Sequence, residues 1–148
     1  MSESESLTAS EQRGILLDLA RWLRKVVPKD IKVSVANMCD DARSVSLVPI
    51  KGAIVNKRYA CGGFEAYMPF ALYYRTPATD NESNSAAFNM LDSIGIVLEG
   101  GSPPIELTEG RQLLEAFQDS TAVKFKQTGS IGDFMANYVI IYAREDKE

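Results

Sequence analysis

Residues 53–75 read AIVNKRYACGGFEAYMPFALYYR, and this stretch decides the fold. Apolar and aromatic residues on both sides of Gly62-Gly63 predict two strands, at 53–59 and 64–75, since paired glycines supply the positive φ angles of a hairpin turn. Pro69 cannot donate to a strand ladder, which predicts either a bulge or an edge strand at that point. The stretch therefore predicts a β-hairpin, and with it a sheet.

Further strands are predicted on both sides of the hairpin. Alternating apolar and polar residues indicate strands at 31–35 and 45–49. A last strand is predicted at 134–143, with Tyr138, Ile140 and Tyr142 on one face. Residues 122–126 fit a short strand. Residues 105–119 fit a short helix and an extended segment equally well.

Two helices complete the pattern. Thr8 and Glu11 form a predicted capping box, apolar residues from Ile15 to Val27 recur at helical spacing, and Pro28 ends the helix. Trp22 lies on this apolar stripe, which predicts a core position. A second stripe runs over 86–98, after a cap at residue 79, 80 or 81 and before Gly100-Gly101.

This order predicts an α+β fold: a mainly antiparallel, alternatively mixed, sheet of four to five strands packed against two main helices. Residues 8–144 are predicted to form a single domain. Residues 1–7 are predicted to be a disordered tail and 145–148 a charged tail.

Composition limits the classes of protein. The chain has 148 residues, 45% hydrophobic and 24% charged, as expected of a globular domain. Its apolar runs are shorter than the roughly 18 residues of a membrane span, and the acidic start is unlike a signal peptide. We therefore expect no membrane contact and retention in the compartment of synthesis, with Cys39 and Cys61 reduced, unpaired and partly buried.

The sequence offers no recognisable catalytic centre. It contains no histidine and two cysteines, which removes histidine-based nucleophile pairs and the common zinc sites. Gly62-Gly63 lacks the lysine of a phosphate-binding loop, and residues 129–132, GSIG, precede a strand where the matching RNA-binding loop requires a helix. We expect no cofactor, no metal and no sequence-specific nucleic acid. Five carboxylates are predicted to lie in turns or on a helix surface, and turn and cap roles explain most of them: Asp40, Asp41, Asp80, Asp92 and Asp133.

The charge is divided along the chain. From residue 13 to residue 75 there are eleven basic and five acidic residues, whereas residues 76–148 hold five basic and twelve acidic ones. Either the two halves interleave in the fold and the difference averages out, or the molecule has a basic face that meets the acidic face of a neighbour.

The hairpin has the composition of a protein interface. Aromatic side chains beside basic ones are typical of interface hot spots. We therefore predict that four residues contribute to a protein contact: Lys57, Arg58, Tyr59 and Phe64. The alternative is a sheet that is covered on both faces.

Two stretches of the hairpin region, 49–63 (PIKGAIVNKRYACGG) and 67–75 (YMPFALYYR), resemble the minor capsid and tail-terminator proteins of tailed phages and prophages. In that family a strand ending in a basic–tyrosine pair is followed by a small glycine turn and an aromatic strand. The helix at 84–98, the closing stretch 133–142 (DFMANYVIIY) and the amphipathic helix at 11–27 also agree. Cys61 departs from the polar residue usual before the turn glycine.

This resemblance implies a non-enzymatic protein, made in the cytoplasm of a bacterial host and located in the virion tail. It implies a homo-oligomeric ring, a hexamer in the assembled tail, that contacts the tail tube protein and the head–tail connector protein. There the ring would cap the tube at its head-proximal end and help the head join the tail. Two alternatives stay open: a small-molecule-binding or carboxylate-dependent enzymatic α+β domain, and a monomeric intracellular adaptor.

Overall fold

The computed structural model describes residues 5–37 and 42–145. Within these residues two helices pack against a sheet of eight strands. In chain order the elements are β1 (Glu5–Ser6), α1 (Ala9–Val26), β2 (Lys32–Val35), β3 (Ser44–Pro49), β4 (Ile54–Arg58), β5 (Phe64–Pro77), α2 (Asn81–Gly100), β6 (Arg111–Gln118), β7 (Val123–Thr128) and β8 (Ile131–Arg144).

The two longest strands, β5 and β8, form the centre of the sheet. They pair antiparallel along their whole length, from Phe64 opposite Arg144 to Pro77 opposite Ile131. On its other side β5 pairs first with β4 and then with β3, and β8 pairs with β6 and β7. The short β1 extends the sheet beyond β4, and β2 runs parallel to β3. The prediction of an α+β fold with a mainly antiparallel sheet is confirmed, and β2 with β3 is its parallel pair.

Pro69 lies inside this sheet, so the prediction of a bulge or an edge strand is wrong. Pairing of β5 with β8 continues without interruption past Pro69, which lies opposite Val139. On its other side, β5 pairs with β4 as far as Tyr67 and with β3 from Phe70 onward. A residue without an N–H is tolerated here because the ladder on that side is already interrupted.

Helix α1 begins and ends where its sequence signals predict. The Thr8 side chain accepts a hydrogen bond from the Glu11 amide at 3.2 Å, and Val27 caps the other end just before Pro28. Trp22 is buried, as predicted, with 4% of its surface exposed. The second half of the capping box is different: the Glu11 carboxylate turns inward to arginines on the sheet.

Helix α2 begins and ends at residues that the sequence predicts as its caps. Asp80 is the N-cap and exchanges hydrogen bonds with Ser83, while Gly101 takes the left-handed conformation that ends many helices. Side chains of both helices meet one face of the sheet around Phe70, Leu72 and Tyr138. Alternation along β5 and β8 therefore directs one set of side chains into this core and the other onto a helix-free face.

The structure has more strands than the four to five predicted. The ambiguous segment 105–119 contains a strand, β6, and residues 5–7 are not a disordered tail: Glu5 and Ser6 pair with β4, and Leu7 is buried. These strands form through pairing with distant partners, which local periodicity does not reveal. Residues 1–4 and 146–148 of the predicted tails lie outside the described residues. No helix in the described part of the chain is long and apolar enough to cross a membrane.

Candidate interaction surface

The predicted contact residues lie at the tip of the β4–β5 hairpin. The Tyr59 amide donates to the Gly63 carbonyl at 2.8 Å, and the Gly62 amide donates to the Tyr59 carbonyl at 3.1 Å. Gly62 has a φ of 102°, a conformation that glycine adopts without strain. The glycine turn is therefore confirmed, and it fixes where the side chains of Arg58 and Phe64 meet.

Lys57 and Tyr59 form one half of the predicted surface. The Lys57 ammonium lies 5.5 Å from the centroid of the Tyr59 ring, and the Tyr59 hydroxyl donates to the Glu65 carboxylate. That hydrogen bond raises the pKa of Tyr59, because it holds the proton on the phenol. Lys57 lies opposite Glu65 in the strand register, so this pair belongs to the helix-free face.

Arg58 and Phe64 form the other half, on the helix side of the sheet. The Arg58 guanidinium lies 5.6 Å from the Phe64 ring, and its Nε donates to Glu5 of β1 at 2.9 Å. Phe64 in turn meets Tyr142 edge-on, with 6.3 Å between ring centroids. The four predicted residues thus share one end of the molecule but lie on two faces, and Phe64 is half-buried.

The turn is held close to the end of β8, which gives a test of the hairpin. A Cβ at Gly63 would lie 2.7 Å from the Arg144 carbonyl oxygen, a backbone atom that cannot move aside freely. We expect Gly63→Ala to lower the free energy of unfolding by about 1–3 kcal/mol. Gly100→Ala is the matched control: its Cβ meets nothing within 4 Å, and alanine favours a helix by up to about 1 kcal/mol. Equal stability of the two variants in urea unfolding would contradict this geometry.

A buried charge cluster, which sequence reasoning missed, joins α1 to the ends of β6 and β8. The Glu11 carboxylate accepts hydrogen bonds from Arg111 Nε at 2.7 Å, Arg111 Nη2 at 3.0 Å and the Tyr142 hydroxyl at 2.8 Å, and it also pairs with Arg144. Burial alone would raise the pKa of Glu11, but the Arg111 and Tyr142 hydrogen bonds hold it below its ordinary value. Burial and the Glu11 hydrogen bond raise the pKa of Tyr142.

Asp18, two turns further along α1, is buried in the same way. Its carboxylate accepts from the Thr108 amide at 2.9 Å and from the Thr108 hydroxyl at 3.0 Å, and Arg21 pairs with it at 3.3 Å. Together Glu11 and Asp18 attach α1 to the segment that leads into β6 and to the ends of β6 and β8. The only sequence signal for this role is two acidic residues on the border of an apolar stripe.

The aspartates that the sequence places in turns or on a helix surface have different roles in the structure. Asp80 is a helix cap, as predicted, and Asp92 accepts from Gln118 at 2.9 Å. Asp133 is neither in a turn nor at a cap: it is buried in β8 and paired with Arg75 at 2.8 Å. Within residues 5–37 and 42–145, no three histidine, cysteine or carboxylate residues cluster as a metal site would require. Asp40 and Asp41 lie outside the described residues.

Cys61 is a free and exposed thiol in the hairpin turn, not a partly buried one as expected. It borders an open depression of about 460 Å³ that also includes Tyr59, Gln112 and Arg144. Cys39, its counterpart in the sequence, lies outside the described residues.

Comparison with known proteins identifies a shared fold. No protein-family model matches the sequence, and no curated protein matches it. Twenty chains of solved structures match. One of them belongs to the virion of a native gene transfer agent (GTA) particle, with a TM-score of 0.58 and 15% sequence identity over 86% of this chain and 95% of that chain. At this identity the likeness establishes the fold that the two chains share.

Proposed function

We propose that this chain is a structural subunit of a phage-like particle. The observation that carries the proposal is the fold likeness to a chain of a gene transfer agent virion, which extends over 86% of this chain and 95% of the other. The likeness extends over nearly the whole of both chains. It therefore supports a subunit of similar kind more strongly than a match to one domain of a larger protein would.

Within such a particle, the chain caps the tail tube at its head-proximal end as a hexameric ring and helps the head join the tail. Its partners are further copies of itself, the tail tube protein and the head–tail connector protein. It is made in the cytoplasm of the bacterial host and ends in the virion tail. This finer assignment rests on the resemblance of residues 49–75 and 133–142 to tail-terminator proteins.

The buried carboxylates favour a structural role over a carboxylate-dependent enzyme. A general acid or base needs a proton that substrate can reach, whereas Glu11 and Asp18 are at most 7% exposed and each accepts several internal hydrogen bonds. Every buried polar side-chain atom in the described residues has a hydrogen-bond partner, as expected of groups that hold a fold together.

The hairpin tip is the proposed contact with the tube or with a neighbouring subunit. Lys57 and Arg58 are exposed, Tyr59 and Phe64 are half-exposed, and each cation lies over an aromatic ring. The Lys57–Tyr59 pair presents an apolar ring together with positive charge, which suits an acidic surface that contains apolar side chains, whereas the charge of Arg58 is matched by Glu5.

Complementation of a tail-assembly defect tests this contact. Arg58→Glu and Tyr59→Ala, made separately, break exposed contacts with Glu5 and Glu65, so both proteins should stay folded with a small loss of melting temperature. Both should yield tails of abnormal length or tails without heads, since a cap that binds poorly does not stop tube growth. Lys126→Glu is the matched charge control, on an exposed residue of β7 far from the hairpin.

Normal tail length and normal head joining in both hairpin variants would overturn the hairpin contact. Normal particles in a strain that lacks this protein altogether would overturn the proposed function itself. An assembly defect of equal size in Lys126→Glu would show that any charge reversal disturbs the tail, and it would also overturn the assignment to the hairpin.

A further inference from the structure

The outer faces of the two helices differ in charge. Helix α1 contains two acidic residues, Glu11 and Asp18, and both are buried in contacts with other parts of the chain. The charged residues exposed on α1 are therefore all basic, namely Arg13, Arg21, Arg24 and Lys25, although Arg21 also pairs with the buried Asp18. Helix α2 is the reverse, since it contains no lysine or arginine and carries Glu82, Asp92 and Glu99.

Each helix also has one exposed leucine or isoleucine, near the middle of α1 and in the last two turns of α2. Leu17 on α1 is 45% exposed, and Ile96 on α2 is 72% exposed. All other leucines and isoleucines of the two helices are buried in the core, namely Ile15, Leu16, Leu19, Leu23, Leu91, Ile94 and Leu98. A single exposed aliphatic side chain is ordinary on a protein surface, so its significance depends on the charges beside it, which around Leu17 are Arg13, Arg21 and one exposed carboxylate, Glu109.

The spacing of charges around the two aliphatic residues also matches. Arg13 and Arg21 lie four residues before and after Leu17, so they flank it along one side of α1. Asp92 lies four residues before Ile96 and Glu99 three residues after it. Asp92 also accepts a hydrogen bond from Gln118 at 2.9 Å, which holds its carboxylate in place. Two helices packed with Leu17 against Ile96 would thus bring cations and carboxylates together on both sides.

The two helices pack against different strands of the sheet. Helix α1 packs mainly against β2 and β3, and α2 packs against β6, β8 and β5. The basic and acidic faces therefore belong to two separate helices that cover different strands. A head-to-tail arrangement of identical subunits joins two such unlike faces and closes into a ring when the rotation permits.

We propose that the occupant of the acidic α2 face, around Ile96, is the basic α1 face, around Leu17, of a second copy of this chain. The inference rests on the proposed assembly function and deepens it, because it names the surfaces through which subunits join. Burial of Leu17 and Ile96 supplies affinity, and the charges set orientation and exclude contacts between like faces. Exposed ion pairs are individually weak and are screened by salt, so the contact weakens as ionic strength rises.

Disulfide trapping tests this contact in purified protein. Leu17→Cys and Ile96→Cys are made separately in a chain whose own thiols are removed by Cys39→Ser and Cys61→Ser. One of the two proteins is labelled with ¹⁵N, since the substitutions give equal masses. The proteins are mixed in equal amounts at high concentration and low salt, oxidised mildly, and the dimers are counted by mass spectrometry.

We expect the mixed Leu17–Ile96 dimer to exceed both homodimers together by about tenfold, and this excess to fall at about 1 M salt, where the Debye length is about 3 Å. Ile96→Cys paired with Gln112→Cys, an exposed residue of β6, is the control and should give a statistical mixture. A statistical mixture for Leu17 and Ile96, an excess of homodimers, or no disulfide-linked species would overturn the helix contact. The measurement needs no tail, so its failure is distinct from a failure of the particle function.

Discussion

Glu11→Gln is expected to lower the free energy of unfolding by about 3 kcal/mol or more, the range found when one partner of a buried ion pair is removed. Glutamine keeps the size of the side chain but not its charge. The Arg111 guanidinium, which is buried and bonds Glu11 through two nitrogens, would then remain charged without its main partner. Urea unfolding followed by far-UV circular dichroism measures the loss.

Glu115→Gln is the matched control, because Glu115 is an exposed residue of β6. Its effect should stay within about 0.5 kcal/mol, as for most surface substitutions. A loss below about 1 kcal/mol for Glu11→Gln would mean that the cluster contributes little to stability.

The same pair makes stability depend on pH in a definite direction. The pKa of Glu11 in the folded protein lies below its ordinary value of 4.5, so the folded state binds its proton more weakly than the unfolded state does. Its contribution is therefore complete above pH 4.5 and is lost as the pH falls through the lower folded pKa. The difference in unfolding free energy between wild type and Glu11→Gln should accordingly shrink in acid.

Trp22→Ala is expected to lower the free energy of unfolding by about 3–5 kcal/mol, as for large-to-small changes in a packed core. The indole is 4% exposed and lies between α1 and the sheet, and its Nε1 donates to the Pro103 carbonyl at 2.9 Å. Alanine would leave a cavity and would also remove the hydrogen bond that joins α1 to the segment after α2. Circular dichroism must be used, because Trp22 is the only tryptophan of the chain.

Trp22→Phe separates the two contributions. It retains most of the packing and loses the hydrogen bond, so a loss of about 1–2 kcal/mol is expected. Wild-type protein offers an independent check: a red-shifted, readily quenched native emission would contradict burial of the indole. A Trp22→Ala variant as stable as Trp22→Phe would show that packing around Trp22 adds little.

Local signals in the sequence predicted the elements that local interactions determine. The Thr8 cap, the stop at Pro28, the Asp80 cap and the Gly62 turn each depend on residues within about four positions. A strand with strict alternation, such as 31–35, was equally predictable, since its period follows from the pleat.

Features that depend on distant partners were not predictable in this way. Glu11 looked like half of a capping box, yet it binds Arg111 and Arg144, which lie 100 and 133 residues further along. Pro69 looked like an edge residue, and only the change from β4 to β3 beside it explains its interior place. The hairpin residues were correctly placed at one turn, but the register that divides them between two faces includes a bulge between Val55 and Lys57.

The central position of β8 has a consequence for synthesis on the ribosome. β8 comes last in the sequence among the described strands. It nevertheless pairs with β5, β6 and β7, and it covers one whole side of β5. Translation adds about 5–20 residues per second, so for several seconds the nascent chain exposes the aromatic edge of β5 without its partner. During that interval the edge is open to pairing with other nascent chains. A polysome that translates this protein therefore holds several copies of an unfinished sheet close together, and binding of chaperones to the nascent chain should be strongest just before β8 emerges.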